Sequence, residues 1–219
     1  MRHGTMQMTM VLVSLALVSA GVEIASATAI LSGDSTETCT QGIPLGGGPC
    51  TAQAINLHPA WQPNNPGGSG AVWVSYADTG FPGTVSPPSS MTDHIMTITE
   101  TFFAPVGTTL ALEVWADDTA QVLIDGNGVF APNFSLGTCA IGPIGCQPGE
   151  QGNISHTFTV AGIHTVAFNV FQTGGGPFGL LYAGATQTVP EPSIGLLVGM
   201  GLIVLGCVWR RQKWGDSPR

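Results

Sequence analysis

Apolar and polar residues alternate along much of the middle of the chain, with a period of two. This period is typical of a β-strand with one buried face, because successive side chains in a strand point to opposite sides. The pattern predicts strands around five sets of residues: Val72, Val74 and Tyr76; Leu110, Leu112 and Val114; Val122 and Ile124; Ile154, His156, Phe158 and Val160; and His164, Val166, Phe168 and Val170. No window of similar length has helical spacing. We therefore expect an all-β domain built as a single antiparallel β-sandwich or jelly roll.

Turn-forming residues separate the predicted strands, and the chain contains 31 glycines and 16 prolines. The segment Asp125-Gly126-Asn127-Gly128 tolerates positive φ and predicts a hairpin turn. Longer glycine- and proline-rich loops are predicted at residues 42–49, 62–70, 81–90, 137–152 and 173–177. Loops on a rigid sandwich are where binding residues usually lie, so candidate chemistry is expected there.

The N-terminal end of the chain does not alternate. Arg2 precedes an apolar stretch at residues 8–18, and the small residues Ala25-Ser26-Ala27 follow. A basic start, a short apolar core and an A-x-A site together predict a secretory signal peptide over residues 1–27. Residues 28–188 would then form one exported domain, because about 160 residues are enough for one core but hardly for two.

The C-terminal end is also apolar. Residues 193–209 carry no charge, and Arg210, Arg211 and Lys213 follow them. Seventeen helical residues span about 26 Å, which just crosses a hydrocarbon core. The sequence therefore predicts a transmembrane helix whose basic end stays in the cytoplasm, with the domain on the other side of the membrane.

Charge is distributed very unevenly. The formal net charge is −8, and all 5 Lys and Arg residues lie near the two ends of the chain. Residues 28–189 contain acidic side chains from Asp34 to Glu150 but no lysine or arginine. A domain without a fixed cation cannot neutralise phosphates, so nucleic-acid binding is excluded.

Four cysteines lie in the exported region: Cys39, Cys50, Cys139 and Cys146. An even number in an oxidising compartment predicts two disulfides, for which three pairings are possible. We favour Cys39–Cys50 and Cys139–Cys146, because each pair flanks a short loop rich in glycine and proline. A zinc site is the alternative, but neither spacing is the C-x-x-C of a structural zinc knuckle.

Asp117 and Asp118 are adjacent carboxylates at the end of a predicted strand, and Asp125 follows in the hairpin turn. Adjacent carboxylates repel each other unless a cation lies beside them, and this domain offers no lysine or arginine. A Ca²⁺ ion, which takes six to eight oxygen ligands, would relieve the repulsion. We therefore expect these three aspartates to be calcium ligands, the alternative being an exposed acidic turn with its side chains in water.

Aromatic residues suggest a sugar-binding surface, because the apolar faces of sugars stack on flat rings while their hydroxyls need fixed polar partners. Trp61 and Asn64 lie in a loop rich in proline, asparagine and glycine, and Trp115 precedes the acidic pair. We expect Trp61, Asn64 and Trp115 to contact a glycan. Trp73 lies on a regular predicted strand, so we expect it in the core.

The C-terminal segment resembles a known sorting signal. Pro190-Glu191-Pro192, the apolar segment after it and the cluster Arg210-Arg211 are similar to the PEP-CTERM signal of Gram-negative bacteria, here over residues 189–214. The resemblance implies processing by an exosortase-type enzyme. It also implies export across the inner membrane, transient or permanent anchoring, and a final position at the cell surface or in the extracellular matrix.

The middle of the chain resembles the galactose-binding-like sandwiches found in PEP-CTERM proteins. The matching blocks are His58-Pro59-Ala60-Trp61, residues 71–75, residues 116–126, residues 161–166 and residues 178–182. The acidic pair followed by Asp125-Gly126 is also similar to the core of protective-antigen-type sandwiches, in which such a pair can bind calcium. The resemblance implies glycan attachment, and the lack of cations implies a neutral glycan or one bridged through Ca²⁺.

These observations predict an exported, non-enzymatic β-sandwich that associates with polysaccharide. A purely structural matrix protein without a specific ligand is the alternative. A hydrolase is a third and weaker option, because the sequence offers no convergent nucleophile and base.

Overall fold

The computed structural model describes residues 27–135 and 142–188, which fall within one compact unit, Ser26–Thr188. In chain order the strands are β1 Ala27–Leu31, β2 Thr38–Gln41, β3 Pro49–Cys50, β4 Gln53–Ala54, β5 Val74–Ser75, β6 Met96–Ala104, β7 Thr109–Asp117, β8 Thr119–Ile124, β9 Asn127–Phe130, β10 Gly152–Thr157, β11 Gly162–Phe171 and β12 Gly179–Gln187. The helical segments of the described part are two short 3-10 turns, Ile43–Leu45 and Pro66–Gly68.

The strands form two six-stranded antiparallel sheets. The first sheet has the order β10-β7-β12-β5-β4, and β1 also pairs with β12. The second sheet has the order β3-β2-β6-β11-β8-β9. The all-β fold with two antiparallel sheets predicted from the alternation is thus confirmed.

The main core lies between the two sheets. The first sheet contributes Leu110, Leu112 and Val114, and the second contributes Val166 and Phe168, all of them buried. The ring of Phe168 also stacks on Tyr182 of the first sheet, with centroids 4.4 Å apart. Residues that alternate in the sequence therefore place their apolar members on one face, which packs against the opposite sheet.

Two predicted strands are shorter than their sequence pattern. The set Val72, Val74 and Tyr76 contributes only the two-residue strand β5. The alternation from Ile154 continues to Val160, but β10 ends at Thr157, and Val160 lies exposed in the turn before β11. Alternation alone did not mark these strand ends.

The predicted hairpin turn is confirmed. Asp125 and Gly126 both have positive φ, at 49° and 76°, and the chain then returns as β9 beside β8. Two central residues with positive φ match the twist of the flanking strands, which explains why aspartate and glycine occupy these positions.

The Cys39–Cys50 disulfide is also confirmed. Cys39 and Cys50 lie opposite each other in the ladder between β2 and β3, with Cα atoms 4.9 Å apart. Cys146 is disulfide-bonded as well, whereas its predicted partner Cys139 lies outside the described residues.

No helix within residues 27–135 and 142–188 is long and apolar enough to cross a membrane. The predicted signal peptide, the apolar segment 193–209 and the motif Pro190-Glu191-Pro192 lie outside the described residues.

Candidate functional site

The two ends of the sandwich differ in construction. One end, which we call the loop end, holds the junction between β7 and β8 together with segments 76–87 and 172–178. The other end, which we call the turn end, holds the short connections at residues 105–108 and 158–161. The predicted acidic pair Asp117-Asp118 lies at the loop end, where long connections meet.

Asp118 is held by the loop that follows β11. Its Oδ2 atom accepts hydrogen bonds from the backbone N–H of Thr173 at 2.7 Å, from the hydroxyl of Thr173 at 2.9 Å and from the N–H of Gly174 at 2.7 Å. Only 7% of Asp118 is exposed. Three donors on one oxygen fix the position of this carboxylate, and they join the β7–β8 junction to the glycine-rich loop.

Asp117 is buried to the same extent but has a different environment. Its Oδ2 atom accepts a hydrogen bond from Nε1 of Trp61 at 2.9 Å. Burial, and then the hydrogen bond and negative charge of Asp118, raise the pKa of Asp117 to about 9. Without a cation beside it, Asp117 therefore carries a proton at neutral pH, and its side chain is hydrogen-bonded to that of Asp118.

The tryptophans do not form an exposed sugar-binding surface, so this expectation is corrected. Trp61 is only 2% exposed, and its ring lies 4.3 Å from the ring of Trp73. Trp115 is buried in the same cluster, together with Leu181 and Ala183 of β12. The loop carrying Trp61 packs over this cluster, because burying the large apolar rings is favourable.

Asn64 lies in the same loop and is exposed, but its Oδ1 atom accepts a hydrogen bond from the backbone N–H of Trp73 at 2.9 Å. It therefore helps to hold the loop in place. Nε1 of Trp73 likewise donates to the carbonyl of Gln62 at 2.7 Å. The residues predicted to bind sugar mainly stabilise the layer that covers the sheet.

Asp125 does not join the acidic pair. The whole of β8 lies between them, so Asp125 is near the opposite end of that strand. Its carboxylate contacts Nδ1 of His164 at 2.7 Å and the N–H of Thr165 at 2.9 Å. Its slight burial raises the pKa, but these hydrogen bonds and the charge of His164 outweigh that effect, and the pKa is lowered. Within the described residues no three His, Cys, Asp or Glu side chains form a metal cluster, so the predicted set of three aspartates is reduced to a pair.

The loop end has an exposed aromatic ring, that of Phe81, which was not among the residues predicted to contact a glycan. Phe81 is 48% exposed, and its ring packs edge-on against His58 at 5.3 Å. His58 lies in turn 5.9 Å from Trp61. Phe81 was identifiable as part of a glycine- and proline-rich loop, but its exposure depends on how the neighbouring loops pack.

A second acidic pair contacts Tyr182 and consists of the buried Glu100 and the half-buried Glu37. The hydroxyl of Tyr182 contacts Oε1 of Glu100 at 2.6 Å and Oε2 of Glu37 at 2.9 Å. Thr36 also donates to Glu100 at 2.7 Å. Burial raises the pKa of both glutamates, and burial together with the two glutamates raises that of Tyr182. The sequence contained one signal for this group, a glutamate on the apolar face of β6.

A cleft of about 440 Å³ lies away from the loop end. Asp34, Thr36, Glu100 and Phe103 contribute to its walls, as do Thr28 and Thr188. The loop end holds the buried pair Asp117-Asp118 and the exposed ring of Phe81, so we take it as the better candidate for an external ligand.

The fold and this geometry define an antiparallel β-sandwich with a buried carboxyl pair where its long loops meet. No protein-family model matches the chain, and no curated protein matches it.

Among solved structures, one similar chain is the native structure of a family 35 carbohydrate binding module from Clostridium thermocellum. It has 11% identity and a TM-score of 0.41, with 75% of this chain and 99% of that chain covered. CBM35 from Paenibacillus barcinonensis has 14% identity and a TM-score of 0.36, with coverages of 74% and 98%. A family two carbohydrate esterase from Cellvibrio japonicus has 14% identity and a TM-score of 0.32, with coverages of 77% and 36%. Such low values assign no function to the chain, so its function is argued from the site.

Proposed function

We propose that the protein is an exported, non-catalytic β-sandwich that binds polysaccharide at its loop end, with Ca²⁺ held by Asp117 and Asp118. The observation that carries this proposal is the pair itself, two adjacent carboxyls that are each 7% exposed. No lysine or arginine occurs in residues 28–189 to balance them. Keeping such a pair buried is costly unless a proton or a cation is bound between the two groups.

The donor chemistry of the pair suits calcium. Carboxylates are hard oxygen ligands, and Ca²⁺ takes six to eight oxygens at about 2.3–2.6 Å. Oδ2 of Asp118 and Oδ2 of Asp117 already accept hydrogen bonds, so the pair offers mainly its two Oδ1 atoms as ligands. The described residues offer no third carboxylate in a metal cluster. The remaining positions are then open to backbone carbonyls, water and sugar hydroxyls. Calcium binding should therefore be weak alone and stronger when a glycan supplies hydroxyl ligands.

Calcium must also displace the proton of Asp117. Because burial and Asp118 raise the pKa of Asp117 to about 9, the carboxyl is protonated over most of the physiological range. Metal binding then releases a proton, so calcium affinity should increase from pH 6 towards pH 9.

The charge of the domain restricts the glycan. The domain has acidic residues and no fixed cation, so an acidic polysaccharide would be repelled unless calcium bridges it. A neutral polysaccharide meets no such barrier. Phe81 offers an exposed ring at the same end, against which an apolar sugar face can stack.

The terminal segments support the cellular part of the proposal. The N-terminal segment directs export across the inner membrane of a Gram-negative cell, and the C-terminal segment anchors the chain and is read by an exosortase-type enzyme. The domain then works at the cell surface or in the extracellular matrix. The sequence pattern at both ends is the support for this part.

The test is binding of the purified chain to neutral polysaccharides, measured by pull-down with Ca²⁺ and with EGTA. We expect saturable binding that weakens in EGTA. Asp117→Asn should weaken calcium binding by at least about tenfold, because it removes one of two carboxylates. The asparagine resembles the protonated Asp117 in shape, so the fold should persist.

Asp78→Asn is the matched control, since it removes an exposed aspartate of the same loop end without touching the pair. Phe81→Ala should weaken glycan binding but not calcium binding. Indifference to every polysaccharide, with and without calcium, would overturn the proposal and favour the purely structural role.

A further inference from the structure

Four large apolar side chains lie exposed together at the turn end. They are Phe103 at the end of β6, Val106 and Val160 in the two short connections, and Ile163 at the start of β11, and their exposures run from 58% for Phe103 to 68% for Ile163. Phe103 and Ile163 lie directly opposite each other in the β6–β11 ladder. Backbone hydrogen bonds join the two connections, from Gly107 N–H to Phe158 O at 2.8 Å and from Phe158 N–H to Thr108 O at 2.9 Å. We call these four residues the apolar tip.

The apolar tip carries no charge, although the domain as a whole is acidic. Residues 103–109 and 157–163 contain no Asp, Glu, Lys or Arg. Exposed apolar side chains grouped in this way usually mark an interaction surface. The nearest carboxylate in these contacts is that of Asp125, which contacts Nδ1 of His164 at 2.7 Å. The four side chains of the apolar tip can therefore approach an apolar surface without themselves burying a charge.

The chain enters and leaves the domain at this same end. Ala27, the first residue of β1, is opposite Gln187, the last residue of β12. Gln187 is also opposite Thr109, which follows the connection containing Val106. Five residues, 188–192, separate Gln187 from the apolar segment 193–209. Five residue steps, from Thr188 to Ser193, span at most about 18 Å when fully extended.

We propose that the apolar tip rests in the interface of the lipid bilayer that holds the C-terminal segment. This inference rests on the anchoring part of the proposed function. The short connection keeps the turn end near the bilayer surface, and the tip presents side chains that gain by leaving water. The loop end, about 30 Å away along strands of nine or ten residues, faces outward with the acidic pair.

The experiment uses the full chain reconstituted in phosphatidylcholine vesicles. A small polarity-sensitive fluorescent amino acid is placed at Val160 in one sample and at Val106 in a second. The matched control is Met91, which is similarly exposed and precedes β6 at the loop end. The vesicles contain lipids brominated near the top of the acyl chain, which quench only fluorophores within the interface.

We expect quenching at positions 160 and 106 to exceed that at position 91 by at least about twofold, as for side chains inserted in an interface. The double variant Val160→Asp and Ile163→Asp should remove the excess quenching at position 106. Circular dichroism checks that each labelled chain keeps its β-structure.

Three outcomes would overturn the inference. Equal quenching at all three positions, in a chain that stays bound to the vesicles, contradicts the proposed contact between the tip and lipid. Such a result is still compatible with anchoring through the C-terminal segment. A chain that separates from the vesicles overturns both the anchoring and the tip. If the fluorophore at position 160 is protected from water only at a high protein-to-lipid ratio, the tip contacts a second copy of the chain in place of lipid.

Discussion

Two acidic pairs with hydrogen-bonded carboxyls lie within residues 27–135 and 142–188, and their hydrogen-bond donors differ. Asp118 receives two backbone N–H groups and a hydroxyl from Thr173 and Gly174, while Asp117 receives Nε1 of Trp61. Glu37 and Glu100 share the single hydroxyl of Tyr182. A hydroxyl has one proton, so it donates to only one carboxyl at a time, and the second contact needs a proton on the other glutamate.

We interpret the aspartate pair as a candidate ligand site and the glutamate pair as a contact that stabilises the fold. The aspartate pair lies at the loop end, where we propose that a cation replaces the proton of Asp117. The glutamate pair contacts Tyr182 of the first sheet, and its member Glu100 also contributes to the wall of the 440 Å³ cleft. We therefore expect the aspartate pair to respond to calcium and the glutamate pair to affect folding stability.

The largest expected effect comes from Trp61→Ala, which removes the ring that covers the aspartate pair. Trp61 is 2% exposed and packs against Trp73, so the loss of packing and of the donor to Asp117 should cost about 3–5 kcal/mol. Urea unfolding of the purified variant measures the free energy of unfolding.

Trp61→Phe is the control for this prediction, because it keeps a ring but removes the N–H group. It should cost clearly less than Trp61→Ala. A cost below about 1 kcal/mol for the alanine variant would show that Trp61 is not the structural cover described here.

Tyr182→Phe tests the glutamate pair and should cost about 2–4 kcal/mol at pH 7, because the buried Glu100 and the half-buried Glu37 lose their common donor. The cost should shrink near pH 4, where the two carboxyls are more fully protonated and can bond to each other. Denaturant unfolding at both pH values measures the difference.

The matched control is Tyr76→Phe, which removes the other tyrosine hydroxyl of the chain. Tyr76 is half-buried, and its hydroxyl makes no hydrogen bond within residues 27–135 and 142–188. A Tyr182→Phe cost no larger than that of Tyr76→Phe would contradict the role assigned to the glutamate pair.

The smallest effect, when it is expressed per pH unit, is a change in the pH dependence of stability. In the folded protein Asp117 keeps its proton up to a pKa of about 9, whereas in the unfolded chain it loses it near pH 3.8. The folded state therefore binds more protons between these values. The stability from this group is fully present below pH 3.8 and is lost as the pH rises towards 9, by at most about 1.4 kcal/mol per pH unit.

Asp117→Asn should flatten this slope in metal-free buffer, as measured by unfolding at pH 5, 6, 7 and 8. Part of the slope should remain, because the raised pKa values of Glu37 and Glu100 also make the free energy of unfolding fall as the pH rises. Asp78→Asn should leave the slope unchanged. An identical slope in Asp117→Asn and the unaltered chain would refute the protonation of Asp117 in the folded state.

The sequence predicted the features that depend on local pattern. Alternation located β7, β8 and β11, since it directly reports a face turned to a core. The hairpin at Asp125-Gly126 was found because its backbone needs residues that accept positive φ. The pairing of Cys39 with Cys50 was found because a short loop brings them together.

The features that depend on distant contacts were not predicted. The composition of the loop around Trp61 suggested exposure, but the loop packs over the outer face of the first sheet and buries the ring. The contact between Asp118 and Thr173 joins residues 55 positions apart, and that between Tyr182 and Glu100 joins residues 82 apart. No periodicity in the sequence encodes such contacts.

The position of β12 limits where the chain can be cut. At its C-terminal end this strand lies between two neighbours, since Gln187 is opposite Thr109 on one side and Ala27 on the other. Cleavage on the N-terminal side of Gln187 would remove part of β12, a strand that is paired on both sides. Any cleavage that releases an intact domain must therefore fall beyond Gln187, and Pro190-Glu191-Pro192 begins three positions after that residue.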